Sequence, residues 1–507
     1  MRLALRARVF ASAASLALSG CAGGGAAPRA SVAPAPNVEI PATGWDAPKE
    51  ARHALDRLAY GPLPGESEAV AKAGVAAWIR GQMSPTALED SSVEAKLRGL
   101  PTLTMTVPEL LREFPRPQDV AKANGIEKDG PDAREKINEL IPPERRPAVI
   151  EQQLAAAKLV RAVESRRQLQ EVLADFWFNH FNVFDGKGED RWMVGAYERD
   201  AIRPHVFGRF RDLLGATASH PAMLFYLDNW TSTREGLNGR GLNENYAREL
   251  MELHTLGVDG GYTQQDVREV ARCFTGWSIV PRRGAKAPKG PAANLEPGTF
   301  VFRPRAHDPG EKHVLGAVIP AGGGREDGER VLDLLAAHPA TARFVAEKLC
   351  RRFVSDDPPA GLVERVAAVF RTTDGDLRSV YAAIFSSKEF WSDAAFGAKT
   401  KTPLELAASA VRALGGSVDP ARALPLARQV ALMGQPLYKC QPPTGWADTA
   451  EAWVSAGMLV NRITFGAALA AGKVPGVTAD PSVLAPGVPD PVRVAALAFG
   501  EPAFQKR

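Results

Sequence analysis

Residues whose side chains could do chemistry are concentrated in residues 243–277, NENYARELMELHTLGVDGGYTQQDVREVARCFTGW. A helix advances about 100° per residue, so the first part of this stretch places four polar side chains on one face: Asn245, Arg248, Glu249 and Glu252. Two carboxylates three residues apart, beside an arginine, form either a buried ion network or a catalytic or metal-binding cluster.

The same stretch is predicted to fold as two helices joined by a glycine turn. Gly257 ends the first helix and Gly260-Gly261 turns the chain, and we expect a positive φ at one or more of these glycines. Thr263 and Asp266 form a capping box that starts the second helix. After this turn, Arg272 comes within reach of the two glutamates, which predicts a buried network among these charges.

Two further segments hold candidate site residues. In LADFWFNHFNVF, His180 is either a buried histidine of an aromatic core or a base or metal ligand, because imidazole titrates near neutral pH and binds metals when neutral. In HDPGEKH, His307 and Asp308 stand beside a turn. An aspartate before Pro-Gly is ordinary turn chemistry, and the alternative is a site role for both residues.

A third segment, MGQPLYKCQPPTGWADTAEAW, contains several prolines and glycines. Asp448 and Glu451 have the spacing of a capping box, which predicts a helix from about Asp448. The preceding loop either packs against the core or lines a pocket.

Common enzyme signatures are missing from the sequence. It has no HExxH, no GxSxG and no GxxxxGK[ST], and it has no second Glu-x-x-His besides Glu50 to His53, which excludes several hydrolase, nucleotide-binding and di-iron classes. No CxxC pair or His/Cys ligand spacing predicts a structural zinc site. The residues therefore assign no metal and no cofactor.

The elements that would position these residues are mostly helices. Apolar residues recur at spacings of three and four along most of the chain, which predicts a mainly α fold, a multi-helix globular domain. Residues 298–316 (GTFVFRPRAHDPGEKHVLG) predict a small β-hairpin near 298–318 with its turn at Asp308-Pro309-Gly310. Residues 114–147 are charged and proline-rich and are predicted to form an exposed insertion.

The N-terminus predicts export and lipid attachment. Three arginines precede an apolar run at residues 9–18 that is too short to span a bilayer. Leu18-Ser19-Gly20-Cys21 resembles the bacterial lipobox, so residues 1–20 are interpreted as a lipoprotein signal peptide and Cys21 as the lipidation site. A plain secretory signal is the alternative. Ala22, in place of an aspartate, favours the outer membrane, where the protein would face the periplasm or the cell surface.

The mature chain is predicted to have a flexible tether at residues 21–45 and one large helical domain at residues 46–507. Removing residues 1–20, which contain three arginines and no acidic residue, lowers the formal net charge from +4 to +1. A net charge this close to zero predicts no nucleic-acid partner. Three cysteines besides Cys21 allow at most one disulfide among them.

Several blocks in order resemble the bacterial domain of unknown function 1800 family. The resemblance runs from about residue 50 to the C-terminus and includes the central stretch together with RLAYGPLPGE, DFWFNHFNV, HDPGEKHVLG, HPATARFVAEKLCRRFV, KTPLELAASAVRALG, MGQPLYKCQPPTGWADTAEAW and EPAFQKR. The family is largely helical and exported, with no established reaction. Its members often lie beside genes of a sulfatase-like family, domain of unknown function 1501, which implies an exported partner of that kind.

Two classes of function remain open. As a helical scaffold working with a sulfatase-like partner, the protein would use Glu249 and Glu252 only to neutralise Arg248 and Arg272. Buried carboxylates are costly unless they are paired, which favours this scaffold hypothesis.

The alternative is an envelope hydrolase that acts on a glycan or another surface polymer. Glu249 and Glu252 would then serve as acid, base or metal ligands, assisted by His180 and by His307 with Asp308. Convergence of the dispersed blocks on one cavity would favour this second class.

Overall fold

The computed structural model describes residues 36–127, 130, 132–237, 241–282 and 294–507. Helices dominate these residues, which confirms the mainly α prediction. The predicted signal peptide at 1–20, the lipidation site Cys21 and most of the predicted tether lie outside the described residues.

The first half of the chain forms fourteen helices in its described part. In order, these helices are α1 (Ala47–Leu58), α2 (Glu66–Ala73), α3 (Val75–Gln82), α4 (Ser91–Leu97), α5 (Val107–Glu113), α6 (Pro117–Ala123), α7 (Ala133–Leu140), α8 (Ala148–Glu164), α9 (Gln168–His180), α10 (Val194–Ala196), α11 (Phe210–Ser219), α12 (Pro221–Tyr226), α13 (Asn245–Glu249) and α14 (Gln264–Phe274). The charged segment 114–147 contributes α6 and α7. Two π-helical turns, Tyr197–Ile202 and Leu250–Thr255, continue α10 and α13.

Eight helices follow in the second half. They are α15 (Glu326–Ala337), α16 (Pro339–Phe353), α17 (Ala360–Thr372), α18 (Leu377–Phe385), α19 (Pro403–Ala413), α20 (Leu424–Leu432), α21 (Ala456–Ala470) and α22 (Pro491–Gly500). Helix α9 lies deep in the core, where Trp177 is fully buried and donates a 2.7 Å hydrogen bond to the Tyr381 hydroxyl of α18. Among the described residues, none of the helices combines the length and the apolar character needed to cross a bilayer.

The described residues also form three two-stranded antiparallel sheets. They pair β1 (Trp277–Ile279) with β2 (Phe300–Phe302), β3 (Lys312–Val314) with β4 (Ala317–Ile319), and β5 (Ser417–Val418) with β6 (Val477–Thr478). The small hairpin predicted near 298–318 is present as β3–β4. Its turn is at Leu315 and Gly316, which have positive φ values of 49° and 79°.

The predicted turn of that hairpin was wrong. Asp308-Pro309-Gly310 does not join two paired strands, because β2 pairs with β1 upstream instead of with β3. The side chain of Asp308 accepts a hydrogen bond from the Gly310 amide, so this aspartate shapes a local turn. Trp277 and Phe300 meet edge to face across β1 and β2, with ring centroids 5.4 Å apart, which stabilises the longer-range pairing.

Local capping chemistry in the central stretch is confirmed. The Thr263 hydroxyl accepts from the Asp266 amide while the Asp266 carboxylate accepts from the Thr263 amide, so the capping box starts α14. Gly257 and Gly261 have φ values of 83° and 82°, as expected for the turn between the helices. A side chain at Gly257 would also collide with Phe344 of α16, because a Cβ built there lies 2.9 Å from the ring.

Candidate functional site

Five segments that are far apart along the chain line one cavity of about 220 Å³. One buried water needs roughly 10–15 Å³ of such space, so the cavity has room for a small ligand. Helices α8, α9 and α16, the start of α19 and the loop before α21 form its walls. Its polar lining comprises Lys158, Asp175, Asn179, His180, Asn182, Lys348, Arg351, Arg352, Thr402, Gln435, Tyr438, Thr444, Asp448 and Thr449.

The loop before α21 is fixed to α9 by two asparagines. The Asn179 side chain donates to the Trp446 carbonyl at 2.8 Å and accepts from the Trp446 amide at 2.7 Å. Asn182 donates to the carbonyls of Cys440 and Pro442. At Gly445 a Cβ would lie 2.3 Å from the Asn179 carbonyl oxygen, so only glycine permits this close approach. These asparagines are used to position the loop.

Tyr438 lies in the cavity wall with a strained backbone. Its φ of 61° is rare for a bulky residue, and such strain persists only where surrounding contacts enforce it. The buried Tyr438 hydroxyl donates a 2.6 Å hydrogen bond to Glu198, and its carbonyl accepts from the Asp185 amide. Glu198 belongs to the π-helical turn Tyr197–Ile202, and π-turns are frequent at functional sites.

Most charges in the wall are paired. The Lys158 ammonium lies 2.8 Å from Asp175 and 3.8 Å from Glu198. Burial lowers the pKa of Lys158, but these two carboxylates outweigh it and raise the pKa above its usual value. Lys158 is therefore a charged structural partner on this side of the cavity.

A second network closes the opposite side. The buried Glu405 carboxylate lies 2.7 Å from the Arg352 guanidinium and 3.1 Å from that of Arg507, the last residue of the chain. Burial would raise the pKa of Glu405, yet the two arginines lower it to about 2. Asp448 lies 3.8 Å from both Arg352 and Lys399 and joins the loop to this network.

Lys348 differs from the other cations of the lining. No carboxylate or carbonyl in the described residues pairs with its ammonium, and the nearest aromatic ring is that of Phe344, 5.5 Å away. Arg351, by contrast, is paired with Glu347 at 2.6 Å. Burial lowers the pKa of Lys348 to about 8, with Asp448 opposing that shift and Arg351 adding to it. The cavity therefore contains one amine that is available to a ligand.

The structure places His180, a candidate from the sequence, in this cavity. Its ring is 2% exposed, its Nε2 lies 3.0 Å from the His254 carbonyl oxygen, and its Nδ1 has no hydrogen-bond partner. Burial, followed by the charge of Lys348 and by His254, lowers the pKa of His180 well below its usual value. His180 is therefore neutral at physiological pH.

The other predicted cluster does not form. Arg248 contacts Glu244 and Gln264, at 3.4 Å and 3.0 Å, and does not pair with either predicted glutamate. The amide of Asn245 donates to the Leu227 carbonyl. Glu252 and Arg248 lie near enough to Glu249 to shift its pKa in opposite directions, yet the hydrogen bonds made by the four side chains go to other residues and not to one another.

Glu249 and Glu252 are partly exposed and do not line the cavity. Glu249 has no hydrogen-bond or ion-pair partner in the described part of the chain, and partial burial and the neighbouring Glu252 raise its pKa. Glu252 lies near Tyr262 and, after burial, raises the pKa of that tyrosine. The predicted buried network of these glutamates is wrong.

Arg272 was expected to pair with those glutamates and instead forms an ion network with two other acids. Its guanidinium lies 2.7 Å from Glu269 on the same helix and 2.8 Å from Asp308. These hydrogen bonds and charges raise the pKa of Arg272 and lower that of Asp308. The predicted site residue Asp308 is thus a salt-bridge partner that fixes the segment before β3.

His307, the last of the sequence candidates, belongs to a separate buried cluster. Its Nε2 lies 3.1 Å from the Asp327 carboxylate, which also pairs with the fully buried Lys312 at 2.6 Å. Its Nδ1 lies near the carbonyl and hydroxyl of Thr275. Both ring nitrogens of His307 thus have partners, and the cluster stabilises the connection between β3 and α15.

Sequence reasoning assigned no role to Lys348 and treated Asp448 as a helix cap. Helix α21 starts at Ala456, capped by Ser455, so the predicted capping box at Asp448 was wrong. The sequence did contain a weak indication of the position of Lys348. It follows Phe344 by four residues, which places both on the same face of a helix.

Within the part of the chain that the structure describes, no group of three or more His, Cys, Asp or Glu side chains is arranged to hold a metal ion. Cys273, Cys350 and Cys440 are buried thiols that are not joined by disulfides. The cavity lining combines hydrogen-bonding and charged groups with apolar side chains such as Phe176, Phe178 and Leu437.

Comparison with known proteins identifies the family. A search of curated proteins and a search of solved structures gave no match. The family model described as "Protein of unknown function (DUF1800)" matches residues 53–504. This match spans the cavity and nearly the whole chain, and the chain belongs to the DUF1800 family.

Proposed function

We propose that this protein is exported to the cell envelope, is held there by a lipid on Cys21, and binds an anionic group of a glycan or other surface polymer in its cavity. The unpaired ammonium of Lys348 is the observation that carries the binding proposal. The other lining cations have carboxylate partners close by, whereas Lys348 has only the Phe344 ring. An ammonium without a counter-ion in a partly buried site favours an incoming anion.

The convergence of distant sequence blocks on the cavity supports a site for a ligand over a purely structural role. Asn179 and Asn182 hold a glycine- and proline-rich loop in the cavity wall, and Tyr438 is strained in the same wall. Hydrolysis of the bound polymer through Glu249 and Glu252 has no geometric support, because these residues do not line the cavity.

Binding can be tested with small anions as probes. Glucuronate, phosphate and sulfate are titrated separately into the mature protein at constant ionic strength, and binding is followed by calorimetry. We expect at least one of them to bind, and Lys348→Met to weaken its affinity at least tenfold. Lys72→Met is the matched control, because Lys72 is exposed on α2, away from the cavity. Equal affinity in wild type and Lys348→Met would contradict the proposal.

A second function, as a scaffold for a sulfatase-like exported partner, is favoured by a different observation. An apolar surface covers part of α20, α21 and α22, where Leu432, Val460 and Leu497 are each more than 60% exposed and Ile463 is 50% exposed. Asn461 of α21 donates to the Leu432 carbonyl, so these helices are adjacent. Contiguous apolar surface of this kind marks protein interaction sites.

The scaffold function can be tested by co-purifying the protein with a sulfatase-like protein encoded beside it. We expect Val460→Asp to reduce recovery of that partner severalfold. Val318→Asp is the control, because Val318 is 56% exposed on the distant β3–β4 hairpin. Equal recovery with both variants would remove this surface as the docking site.

A further inference from the structure

The hydrogen-bonding state of His180 is determined by its contacts. A carbonyl oxygen only accepts hydrogen bonds, so Nε2, 3.0 Å from the His254 carbonyl, carries the proton. The ring is neutral because burial and the nearby Lys348 lower its pKa. Nδ1 therefore has a lone pair and no proton, and it has no partner in the described residues. The cavity wall thus contains a buried, unsatisfied hydrogen-bond acceptor.

Lys348 provides a donor close to this acceptor. Both residues line the cavity, the His180 ring lies 6.2 Å and the Lys348 ammonium 5.5 Å from the Phe344 ring, and the charge of Lys348 acts on His180. A buried acceptor without a partner costs about 1–3 kcal/mol, which a ligand with a matching donor would recover. The neighbouring amides of Asn179 and Asn182 are already committed to the loop backbone.

We infer that the cavity takes an organic anion with a hydroxyl near its acidic group, as in an acidic sugar. The hydroxyl donates to Nδ1 of His180, and the acidic group accepts from the ammonium of Lys348. A neutral sugar lacks the charge that Lys348 attracts, and an unsubstituted carboxylate lacks the donor that His180 needs. This inference rests on the proposed anion binding and adds the chemical class of the ligand.

Three ring compounds of similar size test the contact with His180 and the contact with Lys348 separately. Glucuronate has both groups, glucose has hydroxyls without a charge, and cyclohexanecarboxylate has the charge without hydroxyls. Their dissociation constants are measured by calorimetry on the mature wild-type protein at constant ionic strength. We expect glucuronate to bind at least tenfold more tightly than either comparison compound. This measurement needs no variant and does not depend on the folding of a mutant.

Two variants assign the contacts to residues. His180→Gln keeps a donor for the His254 carbonyl but removes the acceptor at Nδ1, so glucuronate should bind no better than cyclohexanecarboxylate. Lys348→Met should reduce glucuronate binding to the level of glucose. A melting curve for each variant confirms that it is folded before binding is compared.

The outcomes distinguish this inference from the proposal on which it rests. If cyclohexanecarboxylate binds the wild type as tightly as glucuronate, or if His180→Gln keeps the preference for glucuronate, the hydroxyl contact is wrong and anion binding stands. If glucose binds as tightly as glucuronate, both are wrong. If none of the three compounds binds, the inferred ligand class is wrong, and phosphate and sulfate decide the anion proposal.

Discussion

Nε2 of His180 on α9 lies 3.0 Å from the carbonyl oxygen of His254, and this contact connects the cavity to the central NENYAREL stretch. His254 lies near the end of the π-helical turn Leu250–Thr255, where backbone carbonyls have no partner within the helix. The carbonyl is therefore available to fix the orientation of His180. The central stretch thus acts on the cavity through its backbone, whereas its two glutamates remain at the periphery.

His254 should make the stability of the protein depend on pH. Burial and Lys348 lower its pKa to about 3, whereas an unfolded histidine titrates near 6.5. At pH values between these two pKa values, His254 is protonated in the unfolded state but not in the folded state. The free energy of unfolding therefore decreases as the pH falls below 6.5. His254→Gln should reduce the slope of unfolding free energy against pH by about 1.4 kcal/mol per unit near pH 5, measured by urea denaturation.

The control for this prediction is His313→Gln. The His313 side chain is 63% exposed on β3, so its replacement should leave the slope close to that of wild type. An unchanged slope in His254→Gln would show that His254 is not held neutral by burial.

Glu405 should be essential for stability because it neutralises two buried arginines. Glu405→Gln leaves Arg352 and Arg507 without their shared carboxylate, and losing one partner of a buried ion network costs about 3–5 kcal/mol. Glu364→Gln breaks an exposed pair with Arg343 and should cost less than about 1 kcal/mol.

Acid denaturation provides a second measurement on Glu405. Its pKa of about 2 lies below the usual value of 4.5, so its contribution is present above pH 4.5 and is lost as the pH falls toward 2. Glu405→Gln should lack this part of the acid dependence. Equal melting temperatures and equal acid transitions in wild type and Glu405→Gln would contradict the network.

In the central stretch, Arg272 should matter for stability and Glu249 should not. Arg272→Met leaves the buried Glu269 and the partly buried Asp308 without their shared cation and should cost about 1–3 kcal/mol. Glu249→Gln removes the burial cost of the charge and its repulsion with Glu252, which outweigh its attraction to Arg248, and should be neutral or slightly stabilising. Urea denaturation of both single mutants and the double mutant should give additive changes.

Asp308→Asn is the positive control, since it should couple to Arg272→Met. A coupling of more than about 1 kcal/mol between Glu249 and Arg272 would instead restore the network predicted from the sequence.

Lipid attachment can be tested at Cys21. Cys21→Ser cannot be lipidated and should move the protein from the membrane fraction to the soluble fraction of cells. Cys440→Ser, which changes a buried thiol, is the control and should stay in the membrane fraction. Retention of Cys21→Ser in that fraction at the wild-type level would refute the lipoprotein assignment.

The sequence by itself predicted the features that depend on residues close together along the chain. The capping box of Thr263 and Asp266, the positive φ of Gly257 and the mainly α fold each follow from local chemistry or from periodicity. The family was also identified from the order of its blocks, because long matching segments are specific without any knowledge of the structure.

Only the tertiary structure decided which polar residues meet. Glu249 and Glu252 are neighbours, as the helical spacing predicted, but Arg248 and Arg272 pair with other residues instead of with them. Lys348 and His180 are 168 positions apart in the sequence, and no local pattern indicates that both line one cavity. Whether a charge is paired or available depends on side chains brought from distant helices, and the spacing of residues along the chain does not contain that information.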